Sequence, residues 1–281
     1  MTNIDIEWEY NNRGRVPEHP QIFARMDRDA EAFRTATPKA ELGLAYGPTP
    51  RQFIDLFPAN AGSPAPLAVF IHGGYWRAQH PSSYSHLAAT LNARGITVGI
   101  AGYDLCPQVT IAGIIDELRA ACLFLWRRHK QRMLVFGHSA GGHLAACMLA
   151  TDWNKLDASA PADLVPCAYS ISGVFDLTPL TQVSTNQDLK LTDAEARRVS
   201  PVFWDVPQGR VLDAIVGGAE SSEFRRQSQL IVDGWRGKAQ TRYEEIPGAN
   251  HFTVVDPLED PNSAMVARLV ELAQQVEARK L

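Results

Sequence analysis

Ser139 lies in Gly137-His138-Ser139-Ala140-Gly141, directly after an apolar run and directly before a small-residue helical pattern. Serine is a poor nucleophile at neutral pH. It needs a base within hydrogen-bond reach and a carboxylate that fixes that base. Glycines two residues to either side allow a sharp strand-to-helix turn that lifts the hydroxyl out of a sheet. The helix that follows aims its free N–H groups at developing negative charge. The chemistry these residues can perform is attack on an acyl carbon.

In a strand-turn-helix setting of this kind the chain order is nucleophile, acid, base. The last histidine, His251, stands in Pro247-Gly248-Ala249-Asn250-His251-Phe252, a loop after the final strand, and is the candidate base. Val216-Gly217-Gly218-Ala219-Glu220 ends the preceding strand in a glycine turn, and Glu220 is the first carboxylate beyond it. Asp213 falls in mid-strand and Glu223 inside the next helix, so Glu220 is the preferred acid. A tetrahedral intermediate also needs N–H donors for its oxyanion. His72-Gly73-Gly74-Tyr75-Trp76-Arg77 follows the first buried strand. The hole is assigned to the amides of Ala140 and of Gly74 or Tyr75, with His72 as a brace for that loop. The histidines do not form a metal site by spacing. His138 and His143 are five apart, and His80 and His86 lack a carboxylate or cysteine partner. No metal and no cofactor is expected.

The elements that must position these groups alternate. Apolar runs predict strands at 67–71, 97–102, 133–136, 167–172, 211–216 and 241–246. Helical spacing predicts helices at 84–94, 110–129, 141–151, 224–233 and 261–279. Such alternation gives an α/β fold with a mostly parallel central sheet covered by helices on both faces. Two short strands (44–46 and 52–57) precede it, then a Pro- and Gly-rich loop (58–66). Residues 1–40 read as an N-terminal arm with a helix at 20–34. Residues 175–206 are too long for an ordinary connection and read as a small cap over the strand C-termini, where open α/β sheets bind ligands. The whole is expected to be one domain, 1–281.

The 27 basic and 31 acidic residues give a formal charge of −4 without long runs of either sign, so nothing marks a nucleic-acid or membrane partner. No apolar run approaches the ~18 residues of a membrane span, and the N-terminus lacks a secretory pattern. Cys106, Cys122, Cys147 and Cys167 are scattered and read as buried free thiols, in keeping with a cytoplasmic setting.

With these residues in hand, the chain resembles the kynurenine formamidase (arylformamidase) branch of the α/β-hydrolase fold. The likeness rests on HGGYW at 72–76, GYDLCP at 102–107, SGVFDL at 172–177, the run at 220–228 and NHF at 250–252, with the arm residues Tyr10-Asn11-Asn12-Arg13 similar to bacterial members. The resemblance implies Ser139 as nucleophile, His251 as base and Glu220 at the acid position, where vertebrate enzymes carry aspartate. It also implies a small, aromatic substrate and a homodimer, although no exposed stripe marks one. Tyr75, Trp76, His138, Phe175 and Phe252 are the expected substrate contacts, with Tyr103, Trp204 and Phe224 on the same converging segments. The expected reaction is cleavage of an aryl formamide or small carboxylic ester through an acyl-enzyme. A short-chain carboxylesterase is the alternative, and a hydrolase-fold binding protein without turnover is a third reading.

Overall fold

A computed structural model describes residues 5–59 and 65–279. Most of the loop expected over 58–66 lies outside the described residues. The strands are β1 (Glu41–Ala45), β2 (Phe53–Phe57), β3 (Leu67–Ile71), β4 (Thr97–Ala101), β5 (Met133–His138), β6 (Cys167–Ile171), β7 (Val211–Gly217) and β8 (Gln240–Ile246). They form one sheet in the order β1-β2-β4-β3-β5-β6-β7-β8. From β4 to β8 neighbours are parallel, while β1 and β2 join antiparallel at one edge.

β3 and β5 have no polar face because both faces are covered. In β3, Leu67, Val69 and Ile71 enter one apolar core while Ala68 and Phe70 enter the other. In β5, Met133 and Val135 take the first core and Leu134 and Phe136 the second. The helices are α1 (Ile6–Tyr10), α2 (Asn12–Arg15), α3 (His19–Ala36), α4 (Ala88–Ala93), α5 (Ile111–His129), α6 (Ala140–Leu149), α7 (Asn186–Leu189), α8 (Asp193–Arg198), α9 (Ser222–Gly234) and α10 (Ala264–Glu277). Buried residues of α5, α6 and α9 fill the first core, and those of α3, α4 and α10 the second. Among the described residues no helix is long and apolar enough to cross a membrane.

Several boundaries differ from expectation for local reasons. The helix expected over 84–94 opens as a 3-10 turn, Pro81–Leu87, and becomes α-helical only at Ala88, because His80 caps it early by accepting from the Ser82 amide. α9 starts two residues before Phe224, since the Ser221 hydroxyl accepts from the Phe224 amide at 3.3 Å. α10 begins at Ala264 for the same reason, with Ser263 as its cap. All four cysteines are buried and free.

Residues 175–206 hold two 3-10 turns with α7 and α8 between them. A capping box between Thr192 and Glu195 starts α8. Ser200 ties the ends of the segment together, accepting from the Leu177 amide at 2.8 Å and donating to the Ala196 carbonyl at 2.6 Å. His143 on α6 donates from Nε2 to the Val199 carbonyl at 2.7 Å and so anchors the segment to the sheet layer.

The arm was expected to hold one helix. It holds three, and α1 is latched to distant loops. Glu7 accepts from the amide and hydroxyl of Ser184 at 2.7 and 2.6 Å. Glu9 accepts from the Ser222 hydroxyl at 2.6 Å and the Glu223 amide at 2.8 Å, at the start of α9. The buried Tyr10 donates to Glu223 at 2.7 Å and accepts from Gln227 at 3.0 Å, while its carbonyl accepts from the Tyr75 hydroxyl at 2.7 Å. Tyr10→Phe leaves a buried carboxylate short of a donor, which costs about 1–3 kcal/mol. The urea midpoint is expected to fall accordingly; an unchanged midpoint would show that the latch is energetically idle.

Candidate active site

The serine turn is forced by backbone contact. A Cβ on Gly137 would lie 2.4 Å from the Gly141 carbonyl oxygen, and one on Gly141 only 1.9 Å from that of Ile71. Between them Ser139 takes φ 58° and ψ −119°, a strained conformation for a residue with a side chain. Its amide is held by the Ile171 carbonyl at 2.8 Å, and α6 starts at the next residue.

His251 arrives from beyond β8. Asn250 fixes its loop, the side-chain oxygen accepting from the amides of Phe252 and Thr253 at 2.9 and 3.0 Å. The His251 Nε2 stands 3.1 Å from the Ser139 Oγ, and its Nδ1 stands 2.6 Å from the Glu220 Oε2. A carboxylate only accepts, so in the neutral ring Nδ1 carries the proton and Nε2 is free to accept one from serine. Glu220 is 6% exposed and His251 4%. The other Glu220 oxygen accepts from the Gly217 amide at 2.7 Å and from the Ser172 hydroxyl. Ser172 opens the SGVFDL segment directly after β6, but nothing in its residue type announces a bond to Glu220.

The rival acids are engaged elsewhere. Asp213 is fully buried and accepts from Arg268 at 2.7 and 3.1 Å. Glu223 receives Tyr10 and Arg226.

Gly74 has φ +106°, and a Cβ there would meet the Ala78 carbonyl oxygen at 2.3 Å. Tyr75 and Trp76 follow with φ of 51° and 55°, so the loop turns through consecutive left-handed residues. Among the described residues the amides of Gly74, Tyr75 and Ala140 donate no hydrogen bond. Unpaired amides of this kind are what an oxyanion requires. His72 braces the loop as expected, its Nδ1 bonding the Gly73 carbonyl at 2.8 Å and its ring stacking on Tyr103 at 4.3 Å.

A cavity of about 290 Å³ opens on Ser139 and His251. Tyr75, His138 and Phe252, three of the residues expected to contact substrate, line it, together with Gly74 of the expected oxyanion loop. Trp76 and Phe175 do not. Both are fully buried: Trp76 is turned inward by its positive φ onto His143, ring centroids 5.1 Å apart, and Phe175 folds back over Gly173. Neither lines the cavity, so the expectation that Trp76 and Phe175 contact substrate is not met. Tyr103 and Phe224 are buried in the same way. The aromatic wall instead includes Phe23 of α3, in edge contact with Phe252 at 5.1 Å. Asn11, Asn12 and Arg13 of the arm also line the cavity.

His138 donates from Nε2 to the His251 carbonyl at 2.8 Å and thereby steadies that loop residue. Burial, then the neighbouring His251, pushes its pKa down from 6.5 to about 3. Burial likewise lowers His72 to about 3 and His143 to about 4. All three are neutral when folded and gain protons on unfolding, so the unfolded state binds more protons below about pH 6.5. Stability is therefore expected to fall as pH drops from 6.5 toward 4, by up to about 1.4 kcal/mol per unit for each histidine. Thermal midpoints measured between pH 7 and 4.5 check this; a flat profile would contradict it.

Residues 54–203, more than half of the chain, match the BD-FAE family. Kynurenine formamidase of Danio rerio is 28% identical over 97% of this chain and 97% of its own length. Kynurenine formamidase of Salmo salar is 29% identical over 82% and 81%. A crystal structure from Silicibacter sp. TM1040, described as a candidate thioesterase, is 33% identical, covers 94% of this chain and 98% of that one, and superposes with a TM-score of 0.81. The chain belongs to the BD-FAE family and is a hydrolase of the α/β-hydrolase fold, similar to the kynurenine formamidases.

Proposed function

We propose that this chain is a serine hydrolase that cleaves an aryl formamide or a small carboxylic ester through an acyl-enzyme, with an N-formylkynurenine-type substrate favoured. The observation that carries the proposal is the hydrogen-bonded line from Ser139 through His251 to Glu220, ending in the cavity. Similarity to kynurenine formamidases across nearly the whole chain supports the substrate class.

His251 takes the Ser139 proton as the hydroxyl oxygen attacks the carbonyl carbon. The oxyanion forms against the amides of Ala140 and Gly74 or Tyr75. The C–N or C–O bond then breaks as His251 protonates the leaving arylamine or alkoxide. A water, deprotonated by His251, attacks the acyl-enzyme and releases the acid and free Ser139. An arylamine leaves poorly unless protonated, so amide turnover depends more on the placement of His251 than ester turnover does.

The test is kcat/KM on N-formyl-L-kynurenine beside p-nitrophenyl acetate and butyrate, with Ser139→Ala as the blank. A formamide value near about 10⁴ M⁻¹s⁻¹ or above, usual for a natural substrate, supports the reading. Ester turnover with negligible formamide cleavage would replace it with a short-chain carboxylesterase. No Ser139-dependent turnover of any substrate would leave a binding protein.

A further inference from the structure

The loop that offers the oxyanion amides is held from within on both sides of Tyr75. The Arg77 amide donates to the Gly74 carbonyl at 3.1 Å, and the Cys106 amide donates to the Trp76 carbonyl at 2.8 Å. The Trp76 indole is sealed against His143. Tyr75 itself carries a side chain at φ 51°, a backbone state that persists only where its surroundings impose it. Among the described residues its amide and carbonyl make no hydrogen bond, so main-chain contacts do not fix it.

Its side chain does. The Tyr75 hydroxyl donates to the Tyr10 carbonyl at 2.7 Å. That carbonyl stands at the last residue of α1, where no later turn of the helix supplies a donor. Its position is set by the docking of the arm. The Tyr10 hydroxyl is bonded to Glu223 and Gln227 of α9, Glu9 receives Ser222 and the Glu223 amide, and Glu7 receives Ser184. None of these partners belongs to β5 or α6, which carry Ser139 and Ala140. The loop and the arm therefore meet through one hydroxyl, directly beside the candidate oxyanion donors.

We propose that the Tyr75 hydroxyl is a positioning group for the oxyanion hole, and that the hole reaches its working geometry only while α1 is docked. The inference rests on the serine-hydrolase reading and gives the arm a part in stabilising the tetrahedral state. Oxyanion donors act by standing in place before charge develops, and they bind the transition state more strongly than the substrate. Slackening them lowers kcat and leaves KM alone.

The test is a cycle of variants with p-nitrophenyl butyrate as substrate and phenylboronic acid as inhibitor. The boronic acid takes the Ser139 oxygen onto boron and sets a tetrahedral, negatively charged group against the hole. Tyr75→Phe removes only the hydroxyl and is expected to lower kcat by about 10–100-fold at unchanged KM, the scale of a small misplacement at a reacting centre. Affinity for the boronic acid should fall by a similar factor. Glu7→Ala combined with Glu9→Ala frees α1 from Ser184 and Ser222, and should lower kcat and boronic acid affinity in the same way. In the Tyr75→Phe background that pair should cost nothing further, because the arm acts through the missing hydroxyl. Thermal midpoints show that each variant is folded; if Tyr75→Phe is not, the Glu7→Ala, Glu9→Ala chain carries the test through the same two readings. A kcat for Tyr75→Phe within twofold of the unaltered chain, a rise in KM alone, or arm and hydroxyl effects that multiply would overturn the inference while leaving the hydrolase reading intact. Absence of Ser139-dependent turnover in the unaltered chain would remove that reading, and the inference with it.

Discussion

Ser139→Ala is expected to lower kcat for p-nitrophenyl butyrate and for N-formyl-L-kynurenine by about 10⁵–10⁶, the usual penalty for removing a serine nucleophile whose partners act as a unit. The backbone of the turn is held by the Ser139 amide on Ile171 and by the close approach of Gly137 and Gly141, none of which involves the hydroxyl. Alanine keeps the Cβ and fits the same φ and ψ, so the fold and thermal midpoint should hardly change. What disappears is the oxygen 3.1 Å from the His251 Nε2. Residual activity within a hundredfold of the unaltered chain would mean that some other group attacks the substrate, and the proposed mechanism would fail.

Glu220→Gln should cost about 10⁴ in kcat, although the two side chains have the same shape. The two carboxylate oxygens face different donors. Oε1 receives a backbone N–H from Gly217 that cannot reorient, together with the Ser172 hydroxyl. The oxygen of glutamine must therefore stay on that side. Its NH₂ group then faces the His251 Nδ1 and drives the proton of the ring to Nε2, so the base presents a donor to the serine hydroxyl where an acceptor is needed. Stopped-flow or steady-state kcat with both ester and formamide checks this. A loss below tenfold would show that the acid is not Glu220. Glu220→Asp is a useful companion, since it keeps the charge and shortens the reach.

The serine turn was legible because the backbone permits few residues around it. Any side chain at 137 or 141 would strike a carbonyl oxygen, so the glycine spacing carries geometric information. The carboxylate beside His251 was legible because β7 ends at Gly217 and Glu220 is the first carboxylate that can turn back toward a neighbouring loop. The sheet was legible because β3 and β5 are buried on both faces and must be apolar throughout. α1 and α2 were not, since five and four residues are too short for a periodic signal and too short to hold without tertiary contacts. The partners of α1, Ser184 and Ser222, lie 177 and 213 positions away in the chain. Trp76 and Phe175 were placed on the right segments but the wrong side, because a segment's position does not say which way a single residue turns. Trp76 has a positive φ that no residue type at that site announces.

The latching of the arm also has a meaning for synthesis. Protein chains are made from the N-terminus, and domains fold as they emerge. α1 is made before Ser184, Ser222, Glu223 and Gln227, which receive it far later in the chain. His251 comes later still. A chain made as far as β6 can thus form the serine turn, with Ile171 in place, but has neither the candidate base nor a docked wall of Asn11, Asn12 and Arg13. The candidate nucleophile is thus made well before the carboxylate and the histidine proposed to activate it, and a growing polypeptide has no complete Ser139–His251–Glu220 line until His251 has been added.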